Sequence, residues 1–135
     1  MTTHENLRLV LVTPETTLLD EHVEALRFPL YDGQIGVLPG RAPLVGRLGY
    51  GELHITEAGG TKSYFVDGGF VQVQGSVVSL LTNRAQPAKT LDSKQAENEL
   101  QTAQHLTARS DIEFAKKFAE LERARRKLAL ARKTH

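Results

Sequence analysis

Hydrophobic and polar positions alternate with period two through the first two thirds of the chain, then shift to steps of three and four. Leu7, Leu9 and Leu11 are spaced by Arg8 and Val10, the spacing of a strand with one buried face. Further β-rich runs cover residues 23–30, 52–56, 63–67, 70–74 and 77–82. Turn signals separate them: Thr13-Pro14, Asp32-Gly33, Gly59-Gly60, Asp67-Gly68-Gly69 and Gln74-Gly75-Ser76. Short strands at this spacing predict an antiparallel β-sandwich or barrel. No strand alternates with a helix, which argues against a doubly wound sheet.

Pro87 closes the β-rich part, because proline stops both strand and helix. From Leu91 onward there is no Gly and no Pro, and Ala, Leu, Glu, Lys, Arg and Gln dominate. Asp92 followed by Gln95, and Ser110 followed by Glu113, read as two capping boxes. They predict an antiparallel two-helix hairpin with helices over 93–108 and 111–132 and a tight break at Arg109-Ser110. Ala96, Leu100, Ala103 and Leu106 line the first helix; Phe114, Phe118, Leu121, Ala124 and Leu128 line the second. Much of that seam is alanine, which buries little area. Such a hairpin must lie on the β part, bind a partner, or exchange between the two. The organisation expected is a β-sandwich over 1–88 followed by a helical hairpin over 89–135.

Composition removes several classes of chemistry. The chain of 135 residues has no cysteine, hence no disulfide, thiolate metal site or cysteine nucleophile. Its N-terminus has neither the basic nor the apolar part of a signal peptide. The longest uncharged run, residues 68–83, is too short and polar to cross a bilayer, so membrane association is expected only through partners. The net charge of +1 hides an asymmetry. Residues 1–90 carry seven basic and nine acidic groups, whereas residues 91–135 carry ten and seven. Arg123, Arg125 and Arg126 sit in that basic end, interleaved with Glu120 and Glu122, which fits a solvated face with i,i+4 pairs. Aromatic residues scarcely interleave with these cations, so no nucleic-acid partner is expected. Histidines at 4, 22, 54, 105 and 135 show no ligand spacing, and no Gly-x-Ser-x-Gly is present. Neither metal, cofactor nor catalytic site is expected.

Residues 32–44, Asp-Gly-Gln-Ile-Gly-Val-Leu-Pro-Gly-Arg-Ala-Pro-Leu, are the most distinctive stretch. Gly33, Gly36, Gly40, Pro39 and Pro43 make it turn, run as a short strand through Ile35, Val37 and Leu38, and turn again. No helix follows and no Lys-Ser/Thr is present, so it is no phosphate-binding loop. A rigid shaped loop suits docking.

This segment resembles the Gly-polar-Ile-Gly-apolar-x-Pro-Gly-x-Ala-Pro-Leu region of the ε subunit of F-type ATP synthases, through Gly33 to Leu44. The opening strand through Thr13-Pro14, the Gly68-Gly69 segment, the strand through Leu80, Leu91-Asp92 with Ala96, Phe114 and Arg123-Ala124 resemble that family in the same order. The resemblance covers nearly the whole chain. It implies a non-catalytic rotor subunit that couples ion-driven rotation to ATP synthesis. Asp32, Gly33, Gln34, Arg41, Ala42, Pro43 and Leu44 would touch the rotor c-ring and the γ subunit. Arg123, Arg125 and Arg126 would meet the β and α subunits of the catalytic head and restrain hydrolysis. The chain would sit at the cytoplasmic face of a bacterial plasma membrane, with the stromal face of a thylakoid as the alternative. The family's position of Gln34 is often acidic and that of Arg41 usually His. Of the family's ATP-binding set, Asp92 and Arg123 remain, while Gln95, Thr102, Lys116 and Lys127 stand at arginine positions. Lysine lacks the bidentate fork, so ATP binding is expected to be absent or weak. A free-standing nucleotide sensor and a small sandwich enzyme are the rival readings.

Overall fold

The computed structural model describes residues 6–134. Eight strands come first: β1 Leu7–Val12, β2 Thr17–Val23, β3 Ala25–Leu30, β4 Gly33–Val37, β5 Leu44–Glu57, β6 Gly60–Gln74, β7 Val77–Leu81 and β8 Ala85–Pro87. A 3-10 turn, Ala88–Thr90, leads into two helices, α1 Ser93–Gln104 and α2 Asp111–Thr134. The strands form a sheet in the order β2-β1-β7-β6-β5-β3-β4, with β8 added beside β6. It closes as a β-sandwich followed by two C-terminal helices.

Period-two burial explains the core. Leu7, Leu9 and Leu11 of β1, Phe28 of β3, Leu53 and Ile55 of β5, Val71 and Val73 of β6, and Val78 and Leu80 of β7 point inward and form one cluster. All the strand pairings are antiparallel except one: β1 and β7 run parallel, Leu9 opposite Val78 and Leu11 opposite Leu80. The expected antiparallel sandwich is thus corrected at this pair, where the first strand is laid beside the seventh.

The Asp67-Gly68-Gly69 signal is not a turn between strands. It is a bend inside one fifteen-residue strand. The first half of β6 pairs with β8, Tyr64 opposite Pro87, and the second half with β7, Phe70 opposite Leu81. Gly68 and Gly69 adopt φ of +69° and +118° at the change of partner, a conformation that costs glycine little. Three further elements depart from the pattern-based reading. β5 is fourteen residues long rather than five, because Gly46, Gly49 and Gly51 interrupt its hydrophobic alternation. β2 is mostly polar, and β8 is only three residues long.

Both helix caps form. Asp92 accepts the Lys94 N–H at 2.9 Å, without a reciprocal bond from Gln95. Ser110 Oγ accepts the Glu113 N–H at 3.2 Å, and Glu113 accepts the Arg109 N–H at 2.6 Å. However, α1 stops at Gln104, four residues before the expected end. The N–H of His105 reaches the carbonyls of Gln101 and Thr102, and its ring meets the Gln101 carbonyl at 2.7 Å. Residues 105–110 then form a connection rather than a tight break. With α1 short and α2 long, the first turns of α2 outrun their partner. Phe114 and Phe118, assigned to the seam, are 59% and 65% exposed. The seam that forms uses Ala96, Ala103, Ala124 and Leu128, all buried, bordered by Lys127–Glu99 at 3.1 Å and Arg132–Glu97 at 2.9 Å.

Candidate functional site

The distinctive segment divides into two surfaces. Asp32, Gly33 and Gln34 form the turn from β3 into β4, whereas Arg41, Ala42, Pro43 and Leu44 follow the other end of β4. A five-residue strand spans about 17 Å, so the two groups are separate. Leu38, Pro39, Gly40, Arg41 and Ala42 line a shallow recess with Gly36. Asp32, Gly33 and Gln34 instead border a groove of about 860 Å³ whose opposite wall is α2, with Phe118 and Arg126. Beside this turn, the Arg47 guanidinium lies 4.4 Å from the centre of the Tyr31 ring, a cation–π contact that stiffens the strand ends.

The three candidate arginines of α2, Arg123, Arg125 and Arg126, do not share one direction, because each residue advances about 100° around the helix. Arg123 turns toward the sandwich, 3.6 Å from Asp67 and 2.7 Å from Glu120. Arg125 and Arg126 are exposed and reach Glu122 at 3.5 and 3.8 Å. The expected cationic set is therefore divided: Arg123 is engaged internally, whereas Arg125 and Arg126 stay exposed, Arg126 at the rim of the groove. The remnant nucleotide pair serves local contacts. Asp92 caps α1, and no ion pair joins it to Arg123 among the described residues.

A cluster that the linear pattern did not reveal lies at the other end of α2. Glu52 of β5 accepts a hydrogen bond from Ser63 at 2.6 Å and one from Lys133, in the last turn of α2, at 2.9 Å. Arg27 lies 3.6 Å and His54 3.5 Å from the same carboxylate. Glu52 and His54 share a strand face at i,i+2, and Ser63 lies opposite His54 in the neighbouring strand. The i,i+2 spacing was a usable signal; the tie to Lys133, 81 positions away, was not. Serine, histidine and glutamate together resemble a nucleophile triad, but the geometry excludes that use. Ser63 donates directly to Glu52, and the histidine nitrogen near both is the same one, Nδ1. A triad places the ring between hydroxyl and carboxylate through two nitrogens. This cluster holds a helix end. Just beneath it, Leu130 and Ala131 of α2 pack on Phe65, Ala88 and Leu91.

The two carboxylates that meet α2 behave oppositely. Burial pushes Glu52 up, but Ser63, Lys133 and His54 together hold it below the usual glutamate range. For Asp67 burial prevails over Arg123 and Arg84, and its carboxyl is held above the usual range. Arg123 is stabilised as a cation chiefly by Glu120, so the 3.6 Å contact does not offset the burial of Asp67. A depressed carboxylate adds stability above its unfolded pKa and loses it as pH falls through the folded one; a raised carboxylate costs stability when ionised. Glu52→Gln should lower stability at pH 7 by about 1 kcal/mol, a difference that closes as pH falls below 4.5. Asp67→Asn should leave stability at pH 7 unchanged or higher. Urea melts across pH check both signs.

His22, His54 and His105 do not converge; His4 and His135 lie outside the described residues. Among the described residues no group of three or more His, Cys, Asp or Glu could hold a metal ion, and no helix is long and apolar enough to cross a membrane.

Comparison with known proteins places this architecture. Residues 6–88 match the family described as ATP synthase, Delta/Epsilon chain, beta-sandwich domain. The ATP synthase epsilon chain of Rhodopirellula baltica is 42% identical over 127 residues, covering 94% of this chain and 99% of the relative. That of Solibacter usitatus is 35% identical over 131 residues, covering 96% and 98%. A chain in the cryo-EM structure of the Euglena gracilis mitochondrial ATP synthase, OSCP/F1/c-ring, superposes with a TM-score of 0.83 at 26% identity, covering 93% of this chain and 81% of that one. A chain of the Tetrahymena thermophila mitochondrial ATP synthase central stalk and c-ring structure shares the fold, with a TM-score of 0.75 at 13% identity and coverage of 99% and 100%.

Proposed function

Because this chain belongs to the ATP synthase delta/epsilon family, we propose that it is a non-catalytic central-stalk subunit that links γ to the c-ring and restrains ATP hydrolysis through its helices. One observation carries the division of labour: every residue of the sandwich core lies between Leu7 and Leu80. The β part, residues 1–88, can therefore form a rigid docking body without the hairpin, residues 89–135. Torque passes through such a body only if it is stiff, and a β-sandwich with an interlocked aliphatic core is stiff.

Two surfaces are offered to the rotor. The recess at Arg41 and Ala42, with Pro43 and Leu44 just beyond it, and the turn at Asp32, Gly33 and Gln34 lie at opposite ends of β4, so they suit two partners, the c-ring and γ. Arg125 and Arg126 are the cations available to acidic loops of the β and α subunits. Arg123 joins them only when α2 leaves Asp67. The site is peripheral to the membrane, at the cytoplasmic face in a bacterium or the stromal face in a plastid. Weak or absent ATP binding fits Gln95, Thr102, Lys116 and Lys127 at the family's arginine positions.

The test is affinity purification of the tagged chain from native membranes. The α, β and γ subunits and the c-ring are expected to copurify, and their absence defeats the reading. Arg41→Glu and Gln34→Lys alter exposed side chains. Each is expected to lower ATP-driven ion pumping severalfold while thermal stability stays within about 0.5 kcal/mol of the parent. Unchanged pumping in both variants removes these residues from the interface.

A further inference from the structure

We propose that Glu52 is a reusable clasp: it binds the last turn of α2 through Lys133 and keeps its other partners when that turn leaves, so the hairpin detaches while the sandwich stays folded. The proposal deepens the reading of the hairpin as a regulatory element and rests on it.

Three observations carry it. First, the apolar attachment is small, and besides Lys133–Glu52 the ion pair that ties α2 to the sandwich among the described residues is Arg123–Asp67 at 3.6 Å. The residues of α2 buried in the cluster shared with Phe65, Ala88 and Leu91 are Leu130 and Ala131, and that cluster is separate from the sandwich core. Second, the pair is asymmetric. Glu52 is 16% exposed and fixed on a strand, whereas Lys133 is 63% exposed at a helix end. The lysine can return to water at little cost. A buried carboxylate left alone would be penalised. Third, that penalty is already covered. Ser63 at 2.6 Å, His54 at 3.5 Å and Arg27 at 3.6 Å come from β6, β5 and β3, and none moves with the helix. The acceptor remains charged and oriented for the lysine's return. Asp67 forms no such clasp: Arg123 stands 3.6 Å from it and makes its shorter contact, 2.7 Å, with Glu120 on its own helix.

The chain has no cysteine, so two introduced cysteines report the hairpin position directly. Spin labels at Thr61→Cys and Lys116→Cys, both exposed positions, give a sandwich-to-α2 distance distribution in the isolated full-length chain. Lys133→Gln at low salt is expected to raise the detached population about three- to fivefold, as loss of a partly exposed pair implies. Glu52→Gln should do the same, and the double variant should add little to either single one. In 1 M salt, where screening acts within about 3 Å, parent and Lys133→Gln should converge. Melting of the sandwich in Lys133→Gln should be unchanged. A parent-like distribution in Lys133→Gln, or fully additive effects in the double variant, overturns the clasp. If Glu52→Gln fails to fold, Lys133→Gln still decides. Because no other subunit and no ATPase readout is involved, failure here is distinct from failure of the copurification test.

Discussion

Replacing Gly69 with alanine is expected to destroy the sandwich's cooperative fold at moderate temperature. A methyl group there would lie 1.8 Å from the carbonyl oxygen of Leu81 and 2.9 Å from Cα of Thr82. Both atoms are backbone, so no side chain can swing aside. The φ of +118° adds strain that only glycine avoids. Relief requires β7 to move away from β6 at the Phe70–Leu81 pair. Such a shift also disturbs Thr82, a buried residue whose hydroxyl accepts the Asp67 N–H at 3.1 Å and donates to the Arg84 carbonyl at 3.1 Å. The corner that lets β6 exchange β8 for β7 would be lost. The expected cost exceeds about 3 kcal/mol, which lowers the melting temperature by roughly 10 °C or more. Gly59→Ala is the control, since a methyl group there meets nothing within 4 Å; its expected change is under about 1 kcal/mol. Calorimetry of the two variants checks the pair. Equal melting temperatures would show that β7 yields without cost.

A chain ended after Ala88 is expected to remain folded and to assemble, with ATP hydrolysis by the complex raised severalfold. The core cluster loses no member. The loss is at the surface: Phe65 and Ala88 are uncovered when Leu91, Leu130 and Ala131 go. At about 25 cal/mol per Å², that exposure costs on the order of 2 kcal/mol, which a sandwich of this size should survive. Glu52 loses Lys133 but keeps Ser63, His54 and Arg27. Circular dichroism and reconstitution with the remaining subunits measure the two halves of this expectation. A truncated chain that unfolds, or that fails to assemble, makes the hairpin a structural part of the rotor and not its brake. Unchanged hydrolysis with assembly intact removes the restraining role.

Legibility in the sequence followed the range of the interactions. Alternation at Leu7, Leu9 and Leu11 reports a buried strand face, because side-chain direction in a strand is set locally. Asp92 and Ser110 marked helix starts for the same reason: a cap bonds backbone one turn away. Strand β2 was hidden because Asp20, Glu21 and His22 break its pattern, and β5 because three glycines do. The seam reading failed at Phe114 and Phe118 because helical periodicity names a face but not the length of the partner. Phe118 instead lines the groove beside the turn from β3 into β4.

The sequence by itself determined a β-rich part followed by a helical part, the caps of both helices, the inward faces of the strands with regular alternation, and an order of motifs matching the epsilon family. All of these rest on periodicity or on contacts within a few residues. Only the tertiary structure decided the rest. It laid β1 parallel beside β7, turned Gly68-Gly69 from a turn into a change of sheet partner, divided residues 32–44 between two surfaces, and kept Arg123, Arg125 and Arg126 from sharing one direction. It also joined Glu52 to Lys133. The reason is physical: these arrangements depend on which distant surface each side chain meets, and that surface exists only after the strands have closed.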